Sequence, residues 1–384
     1  MVTLFDVARL AGVSTATVSR VVHGQDRVRE ATRIRVQQAI EELGYVPDGA
    51  AQSLSRRRKD VIGLVCVERQ AQQYDIENMN LLFYDEVLRG VEARIRDHDW
   101  SLLITFLQGA HDPGFPRIES FTGKVNGILI GEGIVPSPFI ERLATRLPVV
   151  IFAGTPHEQA VDVVTADNLS GSAAVVTHLI RDHGKRRLFW VHGPADSPDS
   201  RERRYGLDYV LRTSPQCELT GFYEGYYSVE SGEKAGESLL AMSRRELPDA
   251  VVSANDQMAI GVVKALTRAG VRVPVDVAVV GFDDIFPGSL CDPPLTTVHQ
   301  PMRMLGERAC ARLLERIANP ELRPATELLP TELVLRSSCG CPPGTVVRQP
   351  VPTLKVARSE LTAATPLLPS PQPGRRPARQ AAKA

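Results

Sequence analysis

The sequence has little of several features that mark particular classes of protein. It holds 6 cysteines and 2 tryptophans in 384 residues, and its 45 Lys and Arg are balanced by 45 Asp and Glu. Six scattered cysteines do not make the disulfide framework of a small secreted domain, so we expect small core residues in a reducing cytoplasm. The net charge of zero argues against a chain whose whole surface binds polyanions.

Signals for membrane insertion, export and metal binding are missing as well. No apolar run approaches the ~20 residues that a membrane helix needs, and the start, MVTLFDVARL, lacks the basic and apolar regions of a secretory signal. Cys339 and Cys341 are close in sequence, but no second pair of Cys or His stands near them. We therefore expect no metal site and no cofactor.

Residues 1–46 are predicted to form a small all-helical domain of three short helices. Thr3 begins a capping-box pattern, and Gly12 is predicted to end the first helix. Ser14 is predicted to cap the second helix, and Gly44 to end the third, VREATRIRVQQAIEELGY.

The rest of the chain changes pattern twice. Residues 47–60, PDGAAQSLSRRRKD, predict a linker with a conditional hinge helix, because Gly49 and the short length disfavour an isolated helix. From Val61 onward, short β-branched apolar runs alternate with amphipathic helices, which is typical of parallel sheets with helices on both faces, and there are enough units for two sheets. The Pro-, Ala- and Arg-rich residues 340–384 predict a disordered tail.

The second helix separates small polar side chains from apolar ones. At 3.6 residues per turn, one face carries Thr15, Ala16, Ser19 and Arg20, and the other carries Val18, Val21 and Val22. A DNA recognition helix needs two such faces: Arg20 can form the bidentate pair with guanine, and the Ala16 methyl can contact thymine. A small helical hairpin whose hydroxyl groups are solvated and bind no DNA explains this distribution of side chains equally well.

Motifs along most of the chain carry a resemblance to a known family. They occur in the order TLFDVARLAGVSTATVSRVVHG, ELGYVPDGAAQSL, VIGLV, VDVVTADN, AVVSANDQMAIGVVKAL, VAVVGFDD and PPLTTVHQP. In these stretches, over residues 3 to about 338, the sequence resembles the LacI/GalR (lactose-repressor/galactose-repressor) family of bacterial transcription regulators.

The resemblance implies a homodimer that places two recognition helices in successive major grooves of a palindromic operator. By position, the residues implied to read bases are Thr15, Ala16 and Arg20, and those implied to hold phosphates are Thr17, Ser19 and Tyr45. Leu54 matches the leucine that a paired hinge helix wedges into the minor groove. Gly49 and Gln52 depart from the family's pattern, so we expect this hinge to fold only with its partner hinge and DNA.

For residues 61–339 the resemblance implies a periplasmic-binding-protein-like core of two Rossmann-like subdomains with a small molecule in the cleft. The expected subdomains are 61–161 with 292–322, and 162–291 with 323–339. The residues expected to contact the effector are Phe83, Tyr84, Arg203, Asn255 and Asp283, with Asp167 and Asn168 as weaker candidates. They fit a sugar-like ligand, whose hydroxyls are matched by carboxylates, amides and guanidinium groups and whose apolar side is matched by an aromatic ring.

Each of these residues also has a purely structural explanation. Asn255 and Asp283 follow strands and have helix capping as an alternative role, and Phe83 and Tyr84 have ordinary helix packing as theirs. Trp190, in a strand-like run, is expected in the core or at its rim rather than at a ligand.

The sequence therefore predicts a DNA-binding regulator, a repressor switched by a sugar or sugar derivative. An enzyme is not expected, since the chain shows no G-x-S-x-G, H-E-x-x-H or P-loop motif. A free sugar-binding protein would leave residues 1–60 unexplained. A corepressor-type response to a purine-like or phosphoprotein signal stays open, because the sign of the coupling is not encoded in any motif.

Overall fold

The structure is a computed structural model that describes residues 2–22, 28–45, 59–67, 81–98, 100–107, 115–131, 135, 137–155 and 161–356. The predicted hinge helix and Leu54 lie outside these residues. Within them, no helix is long and apolar enough to cross a membrane.

Three helices form the N-terminal domain, as predicted: α1 (Leu4–Ala11), α2 (Thr15–Val22) and α3 (Glu30–Leu43). The Asp6 carboxylate accepts hydrogen bonds from the Thr3 backbone N–H at 2.9 Å and the Thr3 hydroxyl at 2.6 Å, so an acid in the first turn holds the start of α1.

The core contains two parallel sheets and one antiparallel sheet in the described part of the chain. The strands of the first sheet are β1 (Val61–Val67), β2 (Ser101–Leu107), β3 (Gly127–Gly131), β4 (Val149–Phe152), β5 (Asp162–Ala166) and β11 (Thr326–Leu329). Those of the second sheet are β6 (Arg187–His192), β7 (Glu218–Glu224), β8 (Ala250–Ser253) and β9 (Ala278–Val280). The antiparallel sheet consists of β10 (Thr297–His299), β12 (Glu332–Leu335) and β13 (Val347–Pro350). The strand order is β11-β5-β4-β3-β1-β2 in the first sheet, β7-β6-β8-β9 in the second and β10-β12-β13 in the antiparallel sheet.

Helices accompany both parallel sheets. The helices of the first subdomain are, in chain order, α4 (Leu81–Ile95), which continues into a 3-10 turn (Arg96–His98), α5 (Phe115–Phe121), α6 (Ser137–Ala144) and α12 (Met302–Ala318). Those of the second subdomain are α7 (Asn168–Arg181), α8 (Pro198–Arg212), α9 (Val229–Leu240), α10 (Asp256–Arg268) and the short α11 (Phe286–Ser289). A helical domain followed by two parallel sheets with helices confirms the predicted fold class.

Each parallel sheet lies inside its own hydrophobic core. Strands such as β4 and β8 are buried along their whole length, since helices cover both faces and leave no polar face for alternation. Trp190 in β6 is 1% exposed, which places it in the core as expected.

The subdomain boundaries differ from those expected. Strands β5 and β11 were expected in the second subdomain, but β5 pairs with β4 and β11 pairs with β5, so both belong to the first sheet. The buried Asp162 at the start of β5 accepts hydrogen bonds from Arg312 and Arg316 of α12, which ties this edge to the first subdomain. Strand β10 instead pairs with β12 beside the second sheet.

The prediction of disorder from residue 340 is wrong for residues 340–356. Strand β13 pairs antiparallel with β12. Val351 packs into the core of the second subdomain, and the Leu354 N–H donates to Ser170 Oγ at 2.9 Å. A segment without a repeating apolar pattern is ordered here because it completes a sheet edge. Residues 357–384 lie outside the described chain.

Candidate functional site

Helix α2 presents the face expected of a recognition helix. Val18 is fully buried against the other two helices, whereas Ala16 and Arg20 are exposed. Thr15 and Ser19 are half-buried beside them. The small side chains and the one arginine therefore share the side of α2 that a DNA duplex can approach.

Thr17 and Tyr45, two of the residues expected to hold phosphates, are half-buried. The Thr17 N–H donates to Ser14 Oγ at 3.2 Å, and the two hydroxyl groups are 2.9 Å apart, so Ser14 caps α2 as predicted. Tyr45 follows Gly44, whose φ of 58° ends α3, and its half-buried ring packs against the helical core.

In the core, four of the five expected effector residues line one cavity. These are Phe83, Arg203, Asn255 and Asp283, and they are joined by Ser197, Asp199, Tyr227 and Gln300. Phe83 comes from the first subdomain, near the start of α4, while the residues from Ser197 to Asp283 follow strands β6 to β9 of the second. The carboxyl ends of parallel strands meet at one edge, where open α/β sheets bind ligands.

Arg203 is fixed at the centre of this cavity wall and is 3% exposed. Its Nε donates to Asn168 Oδ1 at 2.8 Å and its Nη2 to Gln300 Oε1 at 2.6 Å. Its Nη1 donates to the Ala254 carbonyl at 2.5 Å, and the guanidinium carbon lies 3.9 Å from the centre of the Phe282 ring. A planar donor group is thus held in one orientation by contacts on its edges and one face.

Asp283 carries the negative charge opposite Arg203. The Asp283 Oδ1 lies 3.3 Å from Arg203 Nη1. Burial raises the pKa of Asp283 to about 6, against the opposing effect of the Arg203 charge. Asp283 has a φ of 120°, a backbone conformation that residues other than glycine rarely adopt. Contacts with the surrounding structure must therefore hold the backbone there.

The neighbouring Asp284 supplies those contacts. It is bound by Arg336 at 2.6 Å, by Arg348 at 2.5 Å and by His299 at 3.2 Å. Although burial alone would raise it, the hydrogen bonds from His299 and Arg336 hold the pKa of Asp284 below its usual value. Since Arg348 lies in β13, the segment expected to be disordered helps to fix the loop that carries Asp283.

Tyr84 is not among the residues that line the cavity. It is 3% exposed, its hydroxyl oxygen accepts a hydrogen bond from the Val67 N–H at 2.9 Å, and its ring packs edge-on against Phe152. The expectation that it faces the cleft is wrong, because its neighbour Phe83 occupies that side of α4 and Tyr84 points into the core.

The side chain of Asn255 makes two hydrogen bonds within the protein. Its Oδ1 accepts a hydrogen bond from the Met258 N–H at 3.0 Å, which caps α10, and its Nδ2 lies 3.3 Å from the Tyr227 carbonyl. The weaker candidates are also structural: Asp167 caps α7, and Asn168 joins Arg203 to Asp199.

Sequence reasoning missed Ser197, Asp199, Tyr227 and Gln300. Tyr227 follows β7 of the second parallel sheet, so the rule that ligands meet strand ends would have found it. Its backbone φ is 63°, and its hydroxyl lies 2.8 Å from Ser197 Oγ. Gln300 follows β10 of the antiparallel sheet, to which that rule does not extend.

Comparison with known proteins matches both regions. Residues 3–48 match the model of bacterial regulatory proteins of the lacI family, and residues 176–339 match a periplasmic binding protein-like domain. The ribose operon repressor of Escherichia coli K12 is 35% identical over 328 residues, covering 84% of this chain and 95% of that protein. The regulator CelR of Thermobifida fusca is 32% identical over 342 residues, covering 88% and 98%.

Solved structures agree over the same span. The lac repressor dimer bound to operator and the anti-inducer ONPF has a TM-score of 0.77 at 28% identity, covering 88% of this chain and 99% of that one. A complex of CelR with cellobiose has a TM-score of 0.64 at 32% identity, covering 88% and 100%. The chain belongs to the LacI family of bacterial DNA-binding transcriptional repressors.

Proposed function

We propose that this protein acts in the cytoplasm as a homodimeric repressor whose affinity for a palindromic operator changes when a sugar or sugar derivative fills the cavity at Arg203 and Asp283. The observation that carries the proposal is the convergence of complementary polar groups beside one aromatic ring in that cavity. Such a set matches the hydroxyl groups and the apolar face of a sugar ring.

Each lining group has a task suited to this ligand. Asp283 and Asp199 supply acceptors for hydroxyl groups, Arg203 and Asn255 supply donors, and Phe83 supplies a ring face. Similar proteins named for ribose and bound to cellobiose support the same ligand class. A purine-like ligand is the alternative, and it would stack on Phe83 instead.

On the DNA side, we assign base reading to the exposed face of α2 and phosphate binding to its edges. Thr15, Ala16 and Arg20 would contact base edges, and Thr17, Ser19 and Tyr45 would contact phosphates. Leu54, which lies outside the described residues, would enter the minor groove at the operator centre.

Coupling follows from the placement of the cavity between subdomains. Phe83 belongs to the first subdomain and Asp283 to the second, so a ligand that touches both favours the arrangement in which they are close. If that arrangement changes the spacing of the two hinges in the dimer, the ligand changes operator affinity by typically about 1–3 kcal/mol.

A thermal-shift screen of sugars, sugar phosphates and nucleobases tests the ligand class. A ligand of the cavity raises the melting temperature by mass action whatever its regulatory sign. Asp283→Asn should lose the shift, whereas Asp85→Asn, a change at a half-exposed carboxylate in α4, should keep it. A rise in melting temperature with nucleobases alone would favour the purine-like alternative. Equal rises in Asp283→Asn and Asp85→Asn would show that the ligand binds outside this cavity.

A further inference from the structure

Two histidines and two cysteines from distant parts of the chain meet at the edge of the second subdomain. His178 lies in the last turn of α7 and His183 just after it, while Cys339 and Cys341 follow β12. The four donor atoms, two imidazole nitrogens and two sulfurs, all lie within 4.8 Å of one another. No metal site was expected at Cys339 and Cys341, because no second pair of Cys or His is near them in the sequence; the fold supplies that pair from His178, 161 positions before Cys339, and His183.

We propose that these four side chains form a structural zinc site of the Cys2His2 type. Zn²⁺ binds imidazole nitrogen at about 2.0–2.1 Å and thiolate sulfur at about 2.3 Å in a tetrahedron, which separates two nitrogens by about 3.3 Å and a nitrogen from a sulfur by about 3.6 Å.

Four of the six separations between donor atoms lie close to those edges, and all six are within 4.8 Å. The two Nε2 atoms are 3.1 Å apart, and Cys339 Sγ lies 3.4 Å from His178 Nε2. Cys341 Sγ lies 3.6 Å from His178 Nε2 and 3.5 Å from His183 Nε2. Four soft or borderline donors thus surround one point, which suits Zn²⁺ better than a hard cation such as Mg²⁺.

The surroundings orient the ligands. His178 Nδ1 lies 2.6 Å from the Asp182 carboxylate, so its other nitrogen is directed at the cluster, as in carboxylate–histidine–zinc arrangements. Gly340, between the cysteines, has a φ of 115°, and a Cβ there would stand 3.0 Å from His183 Nδ1. Glycine at this position lets both sulfurs turn to the same side and lets the imidazole approach.

The burial of the four residues is that of a closed site with an entry path. Cys339 and His178 are buried, whereas Cys341 and His183 are half-buried and reachable from solvent. Four protein ligands leave no open position for a substrate, so the role is structural. A bound ion would fasten the loop between β12 and β13 to α7, near the strand whose Arg348 holds Asp284.

Metal binding to the full chain tests this site. The purified protein is treated with a chelator under reducing conditions and titrated with Zn²⁺ alone, and in parallel with Co²⁺ as a spectroscopic probe. We expect one Zn²⁺ per chain, a melting temperature several degrees higher with Zn²⁺ than without, and the intense visible bands and thiolate charge-transfer band of tetrahedral Co²⁺.

Variants separate this site from adventitious binding. Cys341→Ser and His183→Gln, at the two half-buried ligands, should each weaken Zn²⁺ at least tenfold while keeping the melting temperature of the metal-free protein. Cys217→Ser, at a half-buried thiol outside the cluster, should bind Zn²⁺ as the unchanged protein does. Equal Zn²⁺ affinity in Cys341→Ser and Cys217→Ser, or a six-coordinate Co²⁺ spectrum, would overturn the proposal.

Discussion

Arg20 and Arg9 are both exposed arginines of the N-terminal domain, but they lie on different helices. Arg20 shares the exposed face of α2 with Ala16, whereas Arg9 in α1 pairs with Asp6 at 3.2 Å. We expect Arg20→Ala to weaken binding to the cognate operator by about 1–3 kcal/mol and to lose less on mismatched sites, because a bidentate contact to guanine disappears.

Fluorescence anisotropy at fixed salt, with a cognate duplex and single-base variants, measures this difference. Arg9→Ala is the matched control and should change the affinity for all duplexes to the same extent. An equal loss on cognate and mismatched duplexes for Arg20→Ala would remove its base-reading role.

We expect Asp283 to make ligand binding depend on pH. With its pKa raised to about 6 by burial, it is a carboxylate at pH 7.5 and gains a proton as the pH falls through about 6. A protonated carboxyl accepts hydroxyl donors less well, so ligand affinity should fall on acidification. Calorimetric titration from pH 5 to pH 8 measures the profile, and Asp283→Asn should flatten it. A profile unchanged by that substitution would assign the titration to another group.

The adjacent residues Phe83 and Tyr84 mark how far sequence could resolve single positions. Both are aromatic and both stand at the start of α4, yet Phe83 lines the cavity and Tyr84 is in the core. Only the packing of α4 on its sheet decides between neighbours about 100° apart on a helix. Asp283 was foreseeable because it follows β9 and the ends of parallel strands meet. Arg203 lies within α8, so only the resemblance to the family pointed to it.

Among the elements, β13 departs most clearly from the sequence prediction, because it lies in the segment predicted to be disordered. Its four residues are all exposed, so no alternation of apolar and polar side chains marks it, and it forms by pairing with β12. The helices α1 to α3 were predictable from their capping residues, and the parallel strands from their apolar runs. The sequence did not show which sheet β5 and β11 join, because strand pairing depends on contacts between segments that are far apart in the chain.

Two valines test whether the segment after residue 340 stabilises the fold. Val351 is 8% exposed and packs in the core of the second subdomain, whereas Val346, just before β13, is 70% exposed. Val351→Ala should lower the free energy of unfolding by about 1–3 kcal/mol, and Val346→Ala should change it by less than about 0.5 kcal/mol. Urea denaturation followed by circular dichroism gives both values. Equal, small effects would mean that this segment adds no stability.

For the molecule as a whole, an exposed apolar face supports assembly into the homodimer. Phe286 is 73% exposed and Leu290 70% exposed, and Phe286 shares a groove with Met304. Phe286→Asp should dissociate the dimer and weaken operator binding, because one recognition helix per protein contacts only half of a palindrome. Val275→Asp, a change at a comparably exposed valine, should leave the dimer intact. Sedimentation analysis measures the oligomeric state of both variants. A Phe286→Asp protein that remains dimeric would place the interface elsewhere.

We expect the operator affinity of this protein to depend on what fills the cavity at Arg203 and Asp283. The most direct test titrates the full chain into a palindromic duplex, chosen by selection from a random library, with and without saturating ligand from the thermal-shift screen. The predicted result is a change in operator affinity of roughly 5- to 150-fold, which is absent in Asp283→Asn. Equal operator affinity with and without the ligand in the unchanged protein would contradict the account.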